Sequence, residues 1–172
     1  MDKILHINDI IEPKIKYRGS VKVLYIDNKT GKAKVIKKHN AGGPGLFTSI
    51  CRMLLGLPTA EYVPSYILGY TEQNGQGRQL FTQRIAYAST PILYEVQDGK
   101  DKVAADEQTA SVIQYTFLVP VTSLKSSTGT IKSLLLYNNK NQVCAQLDFD
   151  DADAIDTNLG ANLLIYWKLK FE

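Results

Sequence analysis

The sequence predicts a mainly β protein: an antiparallel β-sandwich or barrel-like domain with one short amphipathic helix and a projecting basic β-hairpin. Three observations predict it. Runs rich in Val, Ile, Leu and Tyr recur along the chain, clusters of Asn, Asp, Gly and Ser separate them, and only one stretch spaces its apolar residues helically. A length of 172 residues fits one domain with an appendage. The expected division is an N-terminal arm at 1–19 and a single β-rich domain at 20–172.

The arm is inferred from its breaks, Pro13 and Gly19, and from the lack of any sustained period. Such termini are ordered only where another surface holds them. From Ser20, Val21, Val23 and Tyr25 alternate with Lys22, Leu24 and Ile26 up to Asp27-Asn28-Lys29-Thr30-Gly31, and a second run follows over 33–38. Two β-rich runs around a short Asn/Gly loop make a hairpin, placed at 20–38.

After Asn40-Ala41-Gly42-Gly43-Pro44-Gly45, residues Leu46, Phe47, Ile50, Leu54 and Leu57 recur at helical spacing. A helix is expected over 45–56, opening with core residues and ended by Gly56 and Pro58. Strands follow at 62–70, 84–96, 110–121, 129–137, 142–149 and 163–171. The polar, glycine-bearing stretch 72–79 reads as a loop, and turns are expected at 98–101, 126–129 and 138–141.

Little in the composition points to catalysis. Hydrophobic residues make up 44% and charged residues 22%, and the net charge of +3 is too small to indicate nucleic-acid binding by itself. Cys51 and Cys144 lie far apart inside apolar runs and read as two reduced, buried thiols. No signal peptide is evident, and the apolar runs fall short of the ~20 residues a membrane helix needs. Synthesis in the cytoplasm and no membrane contact are therefore expected.

His6 and His39 have no neighbouring Cys or His at ligand spacing. Gly42-Gly43-Pro44-Gly45 precedes a helix but lacks the Gly-Lys-Ser/Thr of a phosphate loop, so its glycines are assigned to a tight turn. The acidic stretch 148–156 partly mimics a calcium loop at Asp148 and Asp150. Ala152 takes the third ligand position, and the required glycine and terminal glutamate are missing. No Gly-x-Ser-x-Gly elbow or His-Glu-x-x-His helix occurs. The expectation is a non-enzyme without catalytic, cofactor-binding or metal residues.

Charge placement is more informative. Nine basic residues and one acid lie between Pro13 and Lys38, a net of +8, whereas 148–156 carries five aspartates and no base. Opposite poles favour head-to-tail contact between copies, which can close into rings. The expected contact sets Lys29, Lys32, Lys34, Lys37 and Lys38 of one copy against Asp148, Asp150, Asp151 and Asp153 of a neighbour or of an adjacent ring. Two other uses of the hairpin are lining a passage for DNA or touching its phosphates, and a lysine-rich edge that resists aggregation.

The order of segments resembles a diffuse group of tailed-bacteriophage virion proteins over about residues 40–172. The segments that carry the likeness are Asn40-Ala41-Gly42-Gly43-Pro44-Gly45-Leu46-Phe47, then Val63-Pro64-Ser65-Tyr66-Ile67-Leu68-Gly69, then Arg84-Ile85-Ala86-Tyr87-Ala88-Ser89-Thr90-Pro91-Ile92. Strand-like stretches at 112–120 and 129–137 follow, and 163–171 closes the series with Trp167. The resemblance implies a tail, neck, collar or portal-adjacent ring component, located in the virion, whose partners are further copies and other virion proteins. It implies no catalytic residues and does not account for the basic hairpin. The alternative is a fibre, fibre-adaptor or decoration protein that binds a host-surface ligand through some of its ten tyrosines and the loop 72–79, with Tyr62, Tyr66, Tyr70 and Tyr87 read first as half-buried strand residues. A hydrolase of cell wall or polysaccharide finds no acid pair in a recognisable context.

Overall fold

A computed structural model describes residues 17–26, 30–74, 77–81, 86–87, 90–119, 130–156 and 162–171, with the backbone alone between 66 and 89 and at 130. The strands are β1 (Tyr17–Ile26), β2 (Ala33–Gly42), β3 (Pro64–Asn74), β4 (Gly77–Phe81), β5 (Ala86–Tyr87), β6 (Ile92–Gln97), β7 (Lys100–Val103), β8 (Val112–Val119), β9 (Thr130–Asn138), β10 (Val143–Asp148), β11 (Ile155–Asp156) and β12 (Leu163–Phe171). One helix, α1 (Pro44–Leu54), occurs among the described residues. The mainly β, antiparallel, sandwich-like architecture is as expected; the barrel option is not, because the sheet does not close.

The strand order is β4-β3-β9-β10-β2-β1-β12-β8-β6-β7, with β11 added to β9 and β5 to β3. β2 belongs to both halves. It pairs with β1 from Ala33 to Asn40 and with β10 through Ala41 and Gly42. The sheet folds over on itself along this strand, and the inner faces of the two halves supply one core. Val21, Val23, Phe117, Ile165 and Trp167 come from one half, and Ile131, Leu134, Leu136 and Leu147 from the other.

Sequence periodicity explains the faces. β12 alternates buried Leu163, Ile165, Trp167 and Leu169 with less buried Leu164, Tyr166, Lys168 and Lys170, as a strand with one face on a core must. β9 is buried on both faces: Leu134 and Leu136 join the main core, while Leu135 and Tyr137 form a second small cluster with Val143.

Several expected boundaries shift. β1 begins at Tyr17, inside the expected arm; residues 1–16 lie outside the described ones. Much of the stretch read as a loop, 72–79, is strand: β3 runs to Asn74 and β4 starts at Gly77, with Asn74 opposite Gly77. β4 ends the sheet, and an edge strand accepts polar residues that composition alone reads as loop. Within 84–96, a two-residue strand at Ala86–Tyr87 and β6 replace the single expected strand. Asp98 (φ 51°) and Gly99 (φ 72°) then form a tight two-residue turn into β7, whose four residues are all exposed. The expected turn at 126–129 lies outside the described residues.

α1 matches the expected span and stops as expected. Gly56 adopts φ 65°, its N–H bonds to the Met53 carbonyl and the Leu57 N–H to the Arg52 carbonyl, closing the last turn. Its first turn is held by β10. Two residues of β10 oppose one of β9 at Cys144, a β-bulge, and the Cys144 carbonyl accepts the Gly43 N–H at 2.8 Å. A methyl group on Gly43 would collide with the Val143 carbonyl, so these glycines permit a close backbone approach to β10.

Candidate interaction surfaces

The alternation of β2 sorts the hairpin lysines onto two faces. Lys34, Ile36, Lys38 and Asn40 lie on one side; Val35, Lys37 and His39 are exposed on the other. Lys34 and Lys38 therefore project toward the loop between β10 and β11, which holds the acidic stretch. Lys38 Nζ pairs with Asp150 and with Asp153, the latter at 2.8 Å, and Lys34 Nζ reaches the Ala152 carbonyl at 3.4 Å. Lys132 of β9 pairs with Asp151 from the other side. Hydrogen bonds donated to the two carboxylates raise the Lys38 ammonium above its ordinary pKa, and Lys132 holds the Asp151 carboxyl below its own.

The loop is also pinned by its apolar residues. Phe149 and Ile155 are buried, and the Phe149 N–H donates to the Lys132 carbonyl. The attraction between basic hairpin and acidic stretch is thus realised within one chain, where a contact between copies was expected for Lys38, Asp150, Asp151 and Asp153. A loop tethered at both ends meets its partners without the entropy cost of joining two molecules. Asp148 accepts from the Gln146 amide. Lys32 and Lys37 are exposed, and Lys29 lies outside the described residues. Lys132 was not singled out from the sequence; a lone lysine within an apolar strand is the signal that marked it.

The opposite face of β1, β2 and β12 is also cationic. Lys22 stands directly across from Lys37 on one side and from Tyr166 on the other, and Ser20 faces both His39 and Lys168. These residues, with Gln114 of β8, line an open groove of about 520 Å³. Lys22 Nζ sits 5.7 Å from the Tyr166 ring centre, and Lys168 pairs with Asp101 of β7 while lying 4.6 Å from the Tyr94 ring centre.

A third surface is apolar. Helical spacing led to an expected core-facing side on α1, yet only Gly45 and Leu46 are buried. Phe47, Met53, Leu54, Leu55 and Leu57 are 44–72% exposed, and Val63 is 39% exposed beside them. Because β10 anchors the helix by its first turn, its last turn projects from the sandwich end. An apolar groove of about 380 Å³ runs beneath it, lined by Ile50, Met53, Val63, Ile113, Tyr115 and Phe171. Periodicity records that an apolar stripe exists, not what covers it.

The remaining candidates fall outside these surfaces. His39 is exposed. Cys144 is buried and Cys51 exposed, so the expectation of two buried thiols holds for one. Burial pushes the Cys144 thiol up to about 12. Tyr62 stacks under the Arg52 guanidinium, 4.3 Å from ring centre to Cζ; the side chains of Tyr66, Tyr70, Tyr87 and 72–79 lie outside the described residues. Among the described residues no group of three His, Cys, Asp or Glu is placed to hold a metal, and no helix is long and apolar enough to cross a membrane. Compared with known proteins, the chain matches no family model, no curated protein and no solved structure.

Proposed function

We propose that this chain is a structural subunit of a tailed-bacteriophage particle, assembled into a ring in its tail, neck or portal-adjacent region. Copies, or a copy and another virion protein, meet through the projecting end of α1. The observation that carries the assembly reading is the run of exposed large apolar side chains from Phe47 to Leu57. Contiguous apolar surface of this kind is rare on soluble monomers and marks protein contacts. The segment order described above supports the virion setting. The in-chain pairing of Lys38 with Asp150 and Asp153 argues that charge is not the main bond between copies.

The mass of the purified protein in solution, at low and high salt, tests the reading. An apolar contact gives an oligomer that persists at high salt, and the double substitution Leu54→Glu/Leu55→Glu converts it to a folded monomer. A wild-type monomer at both salts, or an oligomer indifferent to the double substitution, overturns the proposed contact.

A further inference from the structure

We propose that the outer face of β1, β2 and β12 is a docking surface for the phosphodiester backbone of a nucleic acid. This does not rest on the assembly reading, and it concerns residues of β12 as much as the hairpin. Inner positions of these strands, Val23, Ile165 and Trp167, are fully buried, so every second side chain is committed to the opposite face. Residues two apart along a strand lie about 6.8 Å apart, and neighbouring strands about 4.8 Å. Cations on such a lattice are held at fixed spacing by the core behind them.

Two of these cations have no counter-charge among the described residues. Lys22 and Lys37 face each other across the β1–β2 ladder, and neither forms an ion pair with any described residue. Like charges directly opposite one another destabilise a sheet. Their persistence on a rigid face, beside a groove of about 520 Å³, is the feature that calls for an external anion. Among the described residues Asp101 is the one carboxylate lining the groove, and Lys168 already neutralises it.

The chemistry favours phosphodiester over carboxylate. Lysine ammoniums at the centre of the groove act on phosphates as point charges, and Arg18 in the adjoining concavity adds a planar fork that matches phosphate. Tyr166 lies among them in the Lys22–Lys37 row, an aromatic ring of the sort on which bases stack irrespective of sequence. A second concavity continues the cationic face past Lys168 toward Lys170. The surface therefore follows a backbone and reads no sequence.

Fluorescence anisotropy with a labelled 20-base oligothymidylate and a labelled 20-base-pair random duplex tests this between 50 and 300 mM NaCl. Binding is expected to weaken linearly on a log–log plot. Lys22→Ala/Lys37→Ala should make the duplex slope shallower by about 1.8, at about 0.9 for each phosphate no longer neutralised, while Lys140→Ala, remote and paired with Glu61, leaves it unchanged. Circular dichroism of the double variant should match wild type, because both side chains project away from the core. No binding of either probe at 50 mM salt overturns the proposal. So does an equal loss in Lys140→Ala, or polyglutamate binding as tightly at equal charge, which would assign the face to an acidic protein. The assembly reading is scored separately, by mass.

Discussion

Lys38 Nζ lies 2.8 Å from the Asp153 carboxylate, joining two residues 115 positions apart in one chain. With Asp150 on the same ammonium, this contact closes the loop after β10 onto β2. Replacing both aspartates, Asp150→Asn/Asp153→Asn, should lower the thermal midpoint at low salt. The difference from wild type should shrink at 0.5 M NaCl, since exposed pairs are screened. The oligomeric mass should not change; a fall in mass would restore these aspartates to a contact between copies.

Asn138 is fully buried and satisfies the β9–β10 turn by itself. Its Oδ1 accepts from the Lys140 and Gln142 N–H groups, each at 3.0 Å, and its Nδ2 donates to the Tyr62 carbonyl at 3.2 Å. Asn138→Ala leaves those groups unpartnered and should cost about 1–3 kcal/mol in urea unfolding. Asn138→Asp keeps the acceptor and loses the donor, and its stability should fall between wild type and the alanine variant.

Gly43 has φ −106°, which any residue adopts, so space alone restricts it. Gly43→Ala should push the start of α1 off β10. The expected readout is lost helical circular dichroism and faster proteolysis near residue 50, with the β signal retained. An alanine variant with wild-type proteolysis would show that the Val143 backbone yields.

High pH should weaken the fold. Burial raises Cys144 from an ordinary 9.0 to about 12, and Tyr17 and Tyr115 from 10.0 to about 12. Between about pH 9 and 12 the unfolded chain has released protons that the folded chain retains. Stability is therefore full below about pH 9 and is lost as pH rises through that window. Urea midpoints measured across it should fall, and Tyr115→Phe should flatten the slope.

The two thiols should react differently. Cys51 is exposed on α1, whereas Cys144 is buried and held in its protonated form. At pH 8 a maleimide should label one equivalent per chain rapidly, and the second only on unfolding. Two rapid equivalents would mean that the bulge at Cys144 opens readily.

Strong alternation made some elements legible in the sequence. β12 spans the residues its pattern indicated, and the β1–β2 hairpin is in place because period-2 burial leaves no other register. β7 was missed because Lys100, Asp101 and Lys102 carry no apolar residue to alternate with; it is an edge strand fenced by charge. The acidic stretch and the lysines were legible as chemistry but not as geometry. Adjacent Lys37 and Lys38 look equivalent in a charge count, yet a strand sends them to opposite faces. Which charges meet within the chain depends on a fold-over at β2 that no local pattern encodes.

The position of β12 bears on how the molecule comes into being. It follows every other described strand, yet it lies between β1 and β8, contributing fully buried Ile165 and Trp167. Until it arrives, half of the sheet has a gap at its middle, and the earliest hairpin waits with one side unpaired. Folding is then completed by an insertion joining residues some 150 positions apart, Tyr17 beside Phe171. Topologies dominated by such distant pairings fold slowly. The nascent protein is most vulnerable to misassociation just before β12 is made.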